Sequence, residues 1–449
     1  EAEVILPRLK TDFCDVIENI MNHSKTELEW DDRVTLGVVM ASEGYPASST
    51  KGAVIENLEN VNSMVFAQQV LAGSQGLSLL AIPFFVMAGV FMNYTGVTRR
   101  IMECCNVLTS RWYGGLAQVN VLLSTLMGGL SGSSLADAAM ECKMLVPSME
   151  AEGYSKPFST VITAASGMIV PLIPPGTGLI IYACICNISV GKLFVAGIGP
   201  GIVLSVTLMI FTRFVSKKRG YMPHRTTKIP VSEKWAAIKP AILPLLLPII
   251  IIGGVRIGVF TATEAGTVAI VYALILGILY HEMKVSDFVK GCKETVTTTS
   301  SIMLIVAAAS CFSWILTKEQ IPQTLASWMT SAISNKFIFL LICSVFLIVV
   351  GMFIEGNASM IVLAPLLHPV AVAFGIDPVH FAMVYIFNCT IGAFTPPMGT
   401  LMFVTCGVTG CRTKDFIKEA KPFYLLFLID MLVLTYFPPL TTFLVDLIY

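Results

Sequence analysis

The chain has 449 residues, of which 55% are hydrophobic and only 13% are charged. Soluble globular domains carry about 25% charged residues, so this composition excludes an ordinary soluble enzyme and predicts a polytopic membrane protein. The net charge of zero is the sum of two unlike parts. Residues 1–60 hold 12 acidic and 5 basic residues, whereas the remaining 389 hold 17 acidic and 24 basic residues. This shift in composition predicts a boundary near residue 62.

Residues 1–62 have the charge density of a small soluble lobe. The strings VILPRLKTDF, LEWDDRVTLGVVMASEGYP and KGAVIENLE resemble the C-terminal lobe of phosphoribosylamine-glycine ligase, an ATP-dependent enzyme of purine synthesis. The nucleotide-binding lobes and metal-binding acids of that family have no counterpart in the rest of the chain, so we do not interpret the protein as an enzyme. We predict that residues 1–62 are a fused fragment that replaces a first spanning helix; the alternative is a genuine regulatory domain.

After residue 62, apolar segments recur with lengths near the roughly 20 residues that a spanning helix needs. We predict spans at residues 75–93, 158–190 (interrupted), 193–214, 241–258, 262–280, 295–316, 378–410 (interrupted) and 422–446. The segment 216–239 holds seven basic residues and one acid, so the positive-inside rule places it in the cytoplasm. We assign residues 63–112 and 195–334 to scaffold and arm helices, and residues 417–449 to a C-terminal spanning helix.

The apolar part contains an internal repeat at an offset of 222 residues, with residues 129–194 lying over residues 351–416 without a gap. Glycines and prolines stay in register: Gly129 pairs with Gly351, and Pro174-Pro175 pairs with Pro396-Pro397. The distribution of basic residues starts the two copies on opposite sides of the membrane. Inverted repeats with matching breaks are typical of secondary transporters whose site lies where the breaks meet. We assign residues 113–194 and 335–416 to the two halves of a transport domain.

Each copy has two breaks in its apolar pattern. The first is the polar knot GGLSGSSLAD at residues 128–137, matched by GMFIEGNAS at 351–359, which predicts a re-entrant helical hairpin. The second is IPPGTG at 173–178, matched by TPPMGT at 395–400. Two prolines cannot continue a helix, so the preceding carbonyls are free to bind a cation. The helix that restarts after them offers unpaired N–H groups to an anion.

Acidic residues in apolar surroundings are candidates for function. Asp137 and Glu355 are such residues, although each could instead cap a broken helix. The serines of the first knot could equally be small packing residues. Glu264 and Arg256 also lie among apolar segments, and we interpret them as scaffold or interfacial residues. We interpret His368 and His380 as structural residues rather than proton carriers, because neither has a partner in the sequence pattern.

From about residue 63 onwards, the chain resembles the large membrane subunit of tripartite ATP-independent periplasmic (TRAP) transporters. The resemblance is carried by the strings LLAIPFFVMAG, GGLSGSSLADAA, VPSMEAEGY, PLIPPGTGLIIY, FTATEAGTVAIVYAL, LTKEQIP, GMFIEGNASMIVLAPLLHPVA, GIDPVHF and TPPMGT.

This resemblance implies an all-α polytopic membrane protein of the elevator type, with inverted repeats, two re-entrant hairpins and broken helices. It implies Na⁺ as the coupling ion and no other cofactor. The implied partners are a separate small membrane subunit and a periplasmic substrate-binding protein. The implied substrates are organic acids such as C4-dicarboxylates, sialic acid and other sugar acids, and the implied location is the bacterial inner membrane.

The resemblance also implies site residues. One Na⁺ site would use Ser131 and Ser134 with the carbonyls of Val170, Ile173 and Pro175. The other would use Gly351, Gly392, Thr395 and Met398, which agrees with the register of the repeat. The substrate would lie between the hairpin tips, near Ser133, Asp137, Thr177, Asn357 and Thr400.

Two alternatives stay open at this point. The chain could be a stand-alone Na⁺ or H⁺ symporter of another inverted-repeat family that needs no binding protein. It could also be a non-functional fusion, because the fragment at residues 1–62 stands where the first spanning helix is expected.

Overall fold

The computed structural model describes residues 68–72, 75–223, 225, 227, 229–333 and 335–449. The predicted ligase-like fragment and the junction near residue 62 lie outside these residues. In the described part of residues 75–449 the chain forms seventeen α-helices and no strand. The first half contains α1 (Ala81–Tyr94), α2 (Val97–Thr109), α3 (Gly115–Ser131), α4 (Ser134–Ala151), α5 (Lys156–Gly167), α6 (Thr177–Cys186), α7 (Val190–Arg219) and α8 (Val231–Ile257). The second half contains α9 (Ala262–Tyr280), α10 (Val285–Lys318), α11 (Ile321–Ala332), α12 (Lys336–Phe353), α13 (Gly356–Ala373), α14 (Pro378–Phe394), α15 (Thr400–Thr409), α16 (Thr413–Tyr436) and α17 (Pro439–Ile448).

The repeat seen in the sequence is a repeat of backbone structure. Helix α4 (Ser134–Ala151) and helix α13 (Gly356–Ala373) begin and end at the same offset of 222 residues. The repeat also extends further than the sequence comparison indicated. Helices α1 and α2 are joined by two residues, as are α10 and α11, and a left-handed residue precedes the second helix of each pair, Gly96 at φ 70° and Gln320 at φ 52°.

Both polar knots form helical hairpins, as the sequence predicted. Helix α3 ends where Gly132 adopts φ 65°, and the extended residue Ser133 then starts α4. In the second hairpin, α12 ends before Ile354, and the extended residue Glu355 starts α13. The Glu355 side chain accepts a hydrogen bond from the Ala358 N–H at 3.1 Å, which makes it the N-cap of α13. The capping alternative for Glu355 is therefore the one that the structure shows.

Both proline pairs interrupt a helix at the predicted place. Helix α5 ends at Gly167, and the chain runs without regular helix to α6, which starts at Thr177. In the second repeat α14 ends at Phe394 and α15 starts at Thr400. The Pro174–Pro175 and Pro396–Pro397 bonds are both cis. The two breaks thus share their position and their backbone form.

The two repeats are interlocked rather than side by side. Helix α4 of the first hairpin packs against α15 of the second broken helix, and α13 of the second hairpin packs against α6 of the first. Within each repeat the other hairpin helix packs on the unbroken half, α3 on α5 and α12 on α14. These eight helices form one packed unit.

A second group of helices lies beside this unit. Helix α1 packs on α9 and α10, and α8 packs on α9. The most apolar windows of α8 and α10 are only 22% buried, which leaves wide apolar faces for lipid or for other membrane proteins. By length and composition, the described chain has six helices that can cross a membrane, or up to eight if each bent pair counts as one span.

Charged side chains hold the ends of this group in place. Arg99 and Arg100 of α2 both pair with Glu282, which follows α9, and Arg100 also lies 3.7 Å from the ring centroid of Tyr280. At the end of α7, Arg219 pairs with Glu419 of α16 at 2.6 Å. Helix α2 is therefore tied to the end of α9.

Three predicted spans differ from the observed helices. The span at 75–93 is instead α1, which begins at Ala81 and is followed by α2 at an angle of 67°. The span at 295–316 is the inner part of α10, which is 34 residues long. The span at 422–446 is wrong as a single helix, because the chain bends by 48° between α16 and α17. This bend lies at Phe437-Pro438, where proline cannot continue the hydrogen-bond pattern.

In the second repeat, helices α12 and α14 cross at two glycines, so their backbones are in direct contact with no side chain between them. A Cβ atom added to Gly392 of α14 would lie 2.6 Å from the Cα of Gly351 in α12. Both partners of this contact are backbone atoms, which cannot move aside cheaply. Gly407 of α15, by contrast, has nothing within 4 Å of an added Cβ.

We expect Gly392→Ala to destabilise the protein, whereas Gly407→Ala should be nearly neutral. Overpacking a tight contact costs about 1–3 kcal/mol. The measurement is thermal unfolding in detergent in KCl without Na⁺, so that the predicted Na⁺ site near Gly392 does not contribute. Equal unfolding temperatures for the two variants would contradict the crossing.

Candidate functional site

The N-termini of four helices, α4, α6, α13 and α15, are brought together at the hairpin tips. The link between the first hairpin and the first broken helix is made by Thr177 at the start of α6. Its hydroxyl donates to the carbonyl of Gly132 at 3.0 Å, and its N–H donates to the same oxygen at 3.4 Å. Thr177 therefore fixes the start of α6 against the tip of the first hairpin.

The other two N-termini join the same cluster. A Cβ added to Gly178 of α6 would lie 3.9 Å from Oδ1 of Asn357, in the first turn of α13. A Cβ added to Gly167 would lie 3.5 Å from Leu401 of α15 and 3.6 Å from the carbonyl oxygen of Ser134. The structure thus connects α13 to α6, α6 to the first hairpin tip, and α4 to α15.

These N-termini favour negative charge. The N-caps of α4, α6 and α15 are Ser133, Gly176 and Gly399, and none of them makes a side-chain capping hydrogen bond. The N–H of Thr177 donates to Gly132, whereas no side chain occupies the first N–H groups of α4 and α15, and the helix dipoles add partial positive charge. Such ends bind carboxylate and phosphate groups readily. Of the five predicted substrate residues, Ser133, Thr177, Asn357 and Thr400 lie in these N-terminal turns or caps.

Asp137 has different surroundings from the other four predicted substrate residues. Its side chain is fully buried, one carboxylate oxygen accepts a hydrogen bond from the hydroxyl of Ser131, and no partner of the other oxygen is found among the described residues. A buried acid next to Ser131 repels an anionic substrate and attracts a cation. The geometry therefore groups Asp137 with the predicted metal residue Ser131.

The first predicted Na⁺ site lies where the first hairpin meets the first break. A Cβ added to Gly128 would lie 3.0 Å from the Cα of Val170, and one added to Gly132 would lie 2.9 Å from the carbonyl oxygen of Pro175. The hairpin tip and the break are therefore in direct backbone contact. Ser131 adds a hydroxyl and Asp137 adds an unpartnered oxygen at the same place.

Carbonyl groups fold back on the start of the next helix in both breaks. At the first break, the oxygens of Pro171 and Ile173 lie 2.7 and 3.4 Å from a Cβ added to Gly176. At the second, the oxygens of Ala393 and Thr395 each lie 2.6 Å from a Cβ added to Gly399. A side chain at either position would fill this turn, which is why glycine is required at both.

The second predicted Na⁺ site is partly assembled. Gly351 and Gly392 are in contact, and the N–H of Thr395 donates to the carbonyl of Gly392 at 2.9 Å. The hydroxyl of Thr395 donates to the carbonyl of Ile391 at 2.6 Å. The Met398 side chain is 55% exposed, so only its backbone could contribute to this set.

The donor types fit a hard monovalent cation. Carbonyl, hydroxyl and carboxylate oxygens are the ligands that hard cations prefer. In the described part of the chain, no group of three or more His, Cys, Asp or Glu residues could hold a metal ion.

Several residues that the sequence singled out have structural roles. Glu264 forms a capping box with Thr261 at the start of α9. Arg256 donates to the carbonyl of Ile448 at 3.1 Å, and His380 lies between Thr441 and the carbonyl of Thr435. His368 contacts the hydroxyl of Tyr182 at 3.2 Å. These contacts agree with the scaffold and structural interpretations.

Two buried acids were missed in the sequence. Glu141 is fully buried one helical turn after Asp137, and Asp430 of α16 accepts a hydrogen bond from Thr207 of α7 at 3.0 Å. The sequence did contain a signal for Glu141: it follows Asp137 by four residues, which places both acids on one face of the helix. Asp430 lies within an apolar run, which is itself a signal.

The family model for the DctM component of tripartite ATP-independent periplasmic transporters matches residues 33–440. This match begins inside the segment that was assigned to the ligase-like fragment. The sialic acid TRAP transporter large permease protein SiaM of Vibrio cholerae is 40% identical over 382 residues, which is 85% of this chain and 89% of that protein.

Other relatives are similar over comparable lengths. The C4-dicarboxylate TRAP transporter large permease protein DctM of Pseudomonas aeruginosa is 38% identical over 81% of this chain and 85% of its own. The 2,3-diketo-L-gulonate TRAP transporter large permease protein YiaN of Escherichia coli is 36% identical over 85% of this chain and 89% of its own.

Two solved structures share the fold at low sequence identity. The Alcanivorax borkumensis YdaH transporter superposes with a TM-score of 0.57 at 15% identity, covering 82% of this chain and 86% of its own. Neisseria gonorrhoeae MtrF, described as belonging to a class of antimetabolite efflux pumps, superposes with a TM-score of 0.58 at 12% identity, covering 86% of this chain and 88% of its own. Both neighbours are membrane transporters, which agrees with the predicted fold class.

We expect Thr177→Val to destabilise the hairpin tip, because Val keeps the shape but removes the hydroxyl that donates to Gly132. A hydrogen bond of this kind contributes about 1 kcal/mol. Thr324→Val is the control, since its hydroxyl bonds only within its own exposed helix turn. Thermal unfolding of both variants in detergent tests this; a loss in Thr324→Val as large as in Thr177→Val would contradict the tether.

Proposed function

Because this chain belongs to the DctM-component family of tripartite ATP-independent periplasmic transporters, we propose that it performs Na⁺-coupled uptake of an organic acid. The protein is a multi-pass membrane transporter and not an enzyme. The proposal adds three finer statements: the substrate is an organic anion, Na⁺ is the coupling ion, and the transport domain moves as an elevator. The location that goes with it is the bacterial inner membrane.

The observation that carries the proposal is the cluster of helix N-termini at the hairpin tips. Three of these four ends lack a side-chain cap, and their donors suit a carboxylate group. The relatives named above are described as transporters of sialic acid, C4-dicarboxylates and 2,3-diketo-L-gulonate, and each of these solutes carries a carboxylate. We therefore propose a dicarboxylate, sialic acid or another sugar acid as the substrate class.

Sodium coupling is supported by the oxygen donors around both breaks. Ser131, Ser134 and Asp137 lie at the first break with the carbonyls of its turn, and Thr395 lies at the second. A cation bound there would lie beside the helix N-termini that receive the anion, so each ligand would favour the other through charge attraction.

An elevator movement is supported by the division of the molecule into two packed groups. The two hairpins and two broken helices interlock through α4 with α15 and α6 with α13, so they can move as one body. Helices α1, α8, α9 and α10 form the neighbouring group, and α8 and α10 expose most of their apolar surface. In the proposed cycle the first body carries cation and anion across the membrane against the second.

The proposed partners are a separate small membrane subunit and a periplasmic binding protein. The name of the family describes a tripartite system of which this chain is one component. The apolar outer faces of α8 and α10 provide surface for a membrane partner in addition to lipid. A stand-alone Na⁺ or H⁺ symporter and a non-functional fusion are the competing proposals.

We expect Ser134→Ala and Thr395→Val to reduce the stabilisation of the protein by Na⁺. A ligand at 100 times its Kd raises the apparent stability by about 2.7 kcal/mol, so the loss is measurable. The measurement is thermal unfolding of the full chain in detergent, with NaCl compared with KCl at equal ionic strength.

Ser327→Ala is the control for this pair, because its hydroxyl is exposed and bonds only to Thr324 of its own helix. It should retain the full difference between NaCl and KCl. If both site variants kept the wild-type response, the assignment of these residues to Na⁺ would be wrong; if the wild type itself did not respond, Na⁺ coupling would be wrong.

We expect uptake of labelled sialic acid or succinate into proteoliposomes to require three components and an inward Na⁺ gradient. The chain would be reconstituted with and without a small membrane subunit and a periplasmic binding protein of a TRAP system. Uptake by the chain alone would favour the stand-alone symporter. Absence of uptake of any organic acid by the complete set would favour the non-functional fusion.

A further inference from the structure

Helix α4 carries a second buried acid that the proposed transport cycle does not use. Asp137 and Glu141 lie four residues apart, on one face of the helix, and both are 0% exposed. One oxygen of Glu141 accepts a hydrogen bond from the hydroxyl of Ser124 at 2.7 Å. The other oxygen has no hydrogen-bond partner among the described residues.

No positive charge compensates Glu141 in the described structure. The titratable groups that face it are Asp137 on its own helix, Cys105 of α2 and the adjacent Cys142, and Cys406 of α15 faces Cys142. Helix α3, which packs against α4, contains no titratable side chain. In α5 the side chain that faces Glu141 is the hydroxyl of Ser166. An ionised carboxylate would therefore be buried beside another acid without a counter-ion, which is strongly unfavourable.

The fold itself does not require an acid at this position. The residue that corresponds to Glu141 in the second repeat is Leu363, since α4 and α13 align at the offset of 222 residues. Ser124 likewise corresponds to Phe346, and Asn120 corresponds to Ile342. These three positions are thus apolar in the second repeat, whereas Ser166 corresponds to Asn388, which is buried and donates to Ser344 at 3.0 Å. The acid itself is a property of the first repeat.

A stripe of polar side chains connects Glu141 to the start of α5. Ser166 donates to Asn120 at 2.9 Å, and Asn120 donates to Thr163 at 2.6 Å. Ser159 and Thr160 continue this stripe toward the first turn of α5, and all of these residues are buried. Here the hydroxyls donate to backbone carbonyls, that of Thr163 to Ser159 at 2.9 Å and that of Ser159 to Ser155 at 3.2 Å. The N-cap Ser155 is exposed, and its N–H donates to the hydroxyl of Tyr221 at 3.2 Å. The stripe therefore reaches the surface of the protein at the start of α5.

We propose that Glu141 is a proton-binding site, neutral in this arrangement of the protein, and that the stripe along α5 is its route to water. The proton comes from water and is held on the carboxyl group of Glu141; no other bond forms or breaks. Glu141 is not itself among the residues of the proposed Na⁺ sites, and Asp137, one helical turn away, lies at the first of them. The test of this proposal measures protonation rather than transport, so its failure is distinguishable from failure of the proposed function.

The test is infrared spectroscopy of the full chain in liposomes near neutral pH, comparing wild type with Glu141→Gln. A protonated carboxylic acid has a carbonyl stretching band that an ionised carboxylate lacks. We expect Glu141→Gln to lose one such band, with the same loss in NaCl and in KCl. Glu141→Leu, which introduces the residue found at the equivalent position Leu363, should lose the same band. This variant replaces Glu141→Gln in the measurement if the latter does not fold.

Two results would overturn the assignment. Loss of carboxylate bands alone would show that Glu141 is ionised. A protonated band that appears in KCl but not in NaCl would show that Na⁺, rather than a proton, occupies the site. Asp137→Asn is the matched variant for the neighbouring acid, and it should leave the Glu141 band present.

The route is tested by transfer into D₂O, which shifts the carbonyl band when the proton exchanges. Asn120→Ile, which copies Ile342 of the second repeat, interrupts the stripe between Ser166 and Thr163. We expect this variant to slow the exchange at Glu141 by several-fold. Exchange as fast as in the wild type would exclude the stripe as the route.

Discussion

Two proline pairs inside apolar segments set the main constraint on this protein. Each pair ends a helix within a membrane protein, where free N–H and C=O groups cannot be hydrogen-bonded by lipid. The structure surrounds each break with protein. The tip of the first hairpin contacts the first break through Thr177 and Pro175, and α12 crosses α14 at Gly351 and Gly392 just before the second. The interlocking of the repeats follows from this need, because each restarted half-helix packs against a hairpin helix of the other repeat.

The same constraint produces the functional chemistry. A helix that restarts after a break has free N–H donors, and the turn before it has free carbonyls, so donors for an anion and ligands for a cation arise side by side. The glycines at positions 176 and 399 allow the carbonyls of the turn to fold back on the helix start. Asp137 adds a carboxyl group at the first break, where it accepts a hydrogen bond from the hydroxyl of Ser131. The site is thus built mainly from backbone, with few side chains that could select one organic acid over another.

The two repeats share a backbone but differ in chemistry. Ser133 and Glu355 occupy equivalent positions at the hairpin tips, and only Glu355 caps its helix with a side chain. Asp137 and Glu141 correspond to Ser359 and Leu363 in the second hairpin. Negative charge is therefore concentrated in the first hairpin. The inferred proton at Glu141 would reduce this concentration and leave Asp137 as the charged partner for a cation.

The sequence by itself determined the membrane class, the inverted repeats, the two hairpins and the two breaks. These features depend on local backbone preferences: proline ends a helix wherever it stands, glycine allows the left-handed turn at the first hairpin tip, and apolar length predicts a span. The resemblance to TRAP large subunits implied that Ser133, Thr177, Asn357 and Thr400 lie near one another. The bend before α17, the amphipathic α11 and the exact helix ends were not predicted, since they depend on packing partners.

The tertiary structure alone decided which helices meet across the repeats and which acids are buried. The pairing of α4 with α15 joins residues more than 200 positions apart, and no local pattern specifies it. The contact of Ser131 with Asp137 joins a predicted cation residue to a predicted substrate residue. The spacing of Glu141 places it on the helix face of Asp137, but only the packing of α3 and α5 around it removes it from water. Burial is a property of the assembled helices, which is why the composition of one segment cannot reveal it.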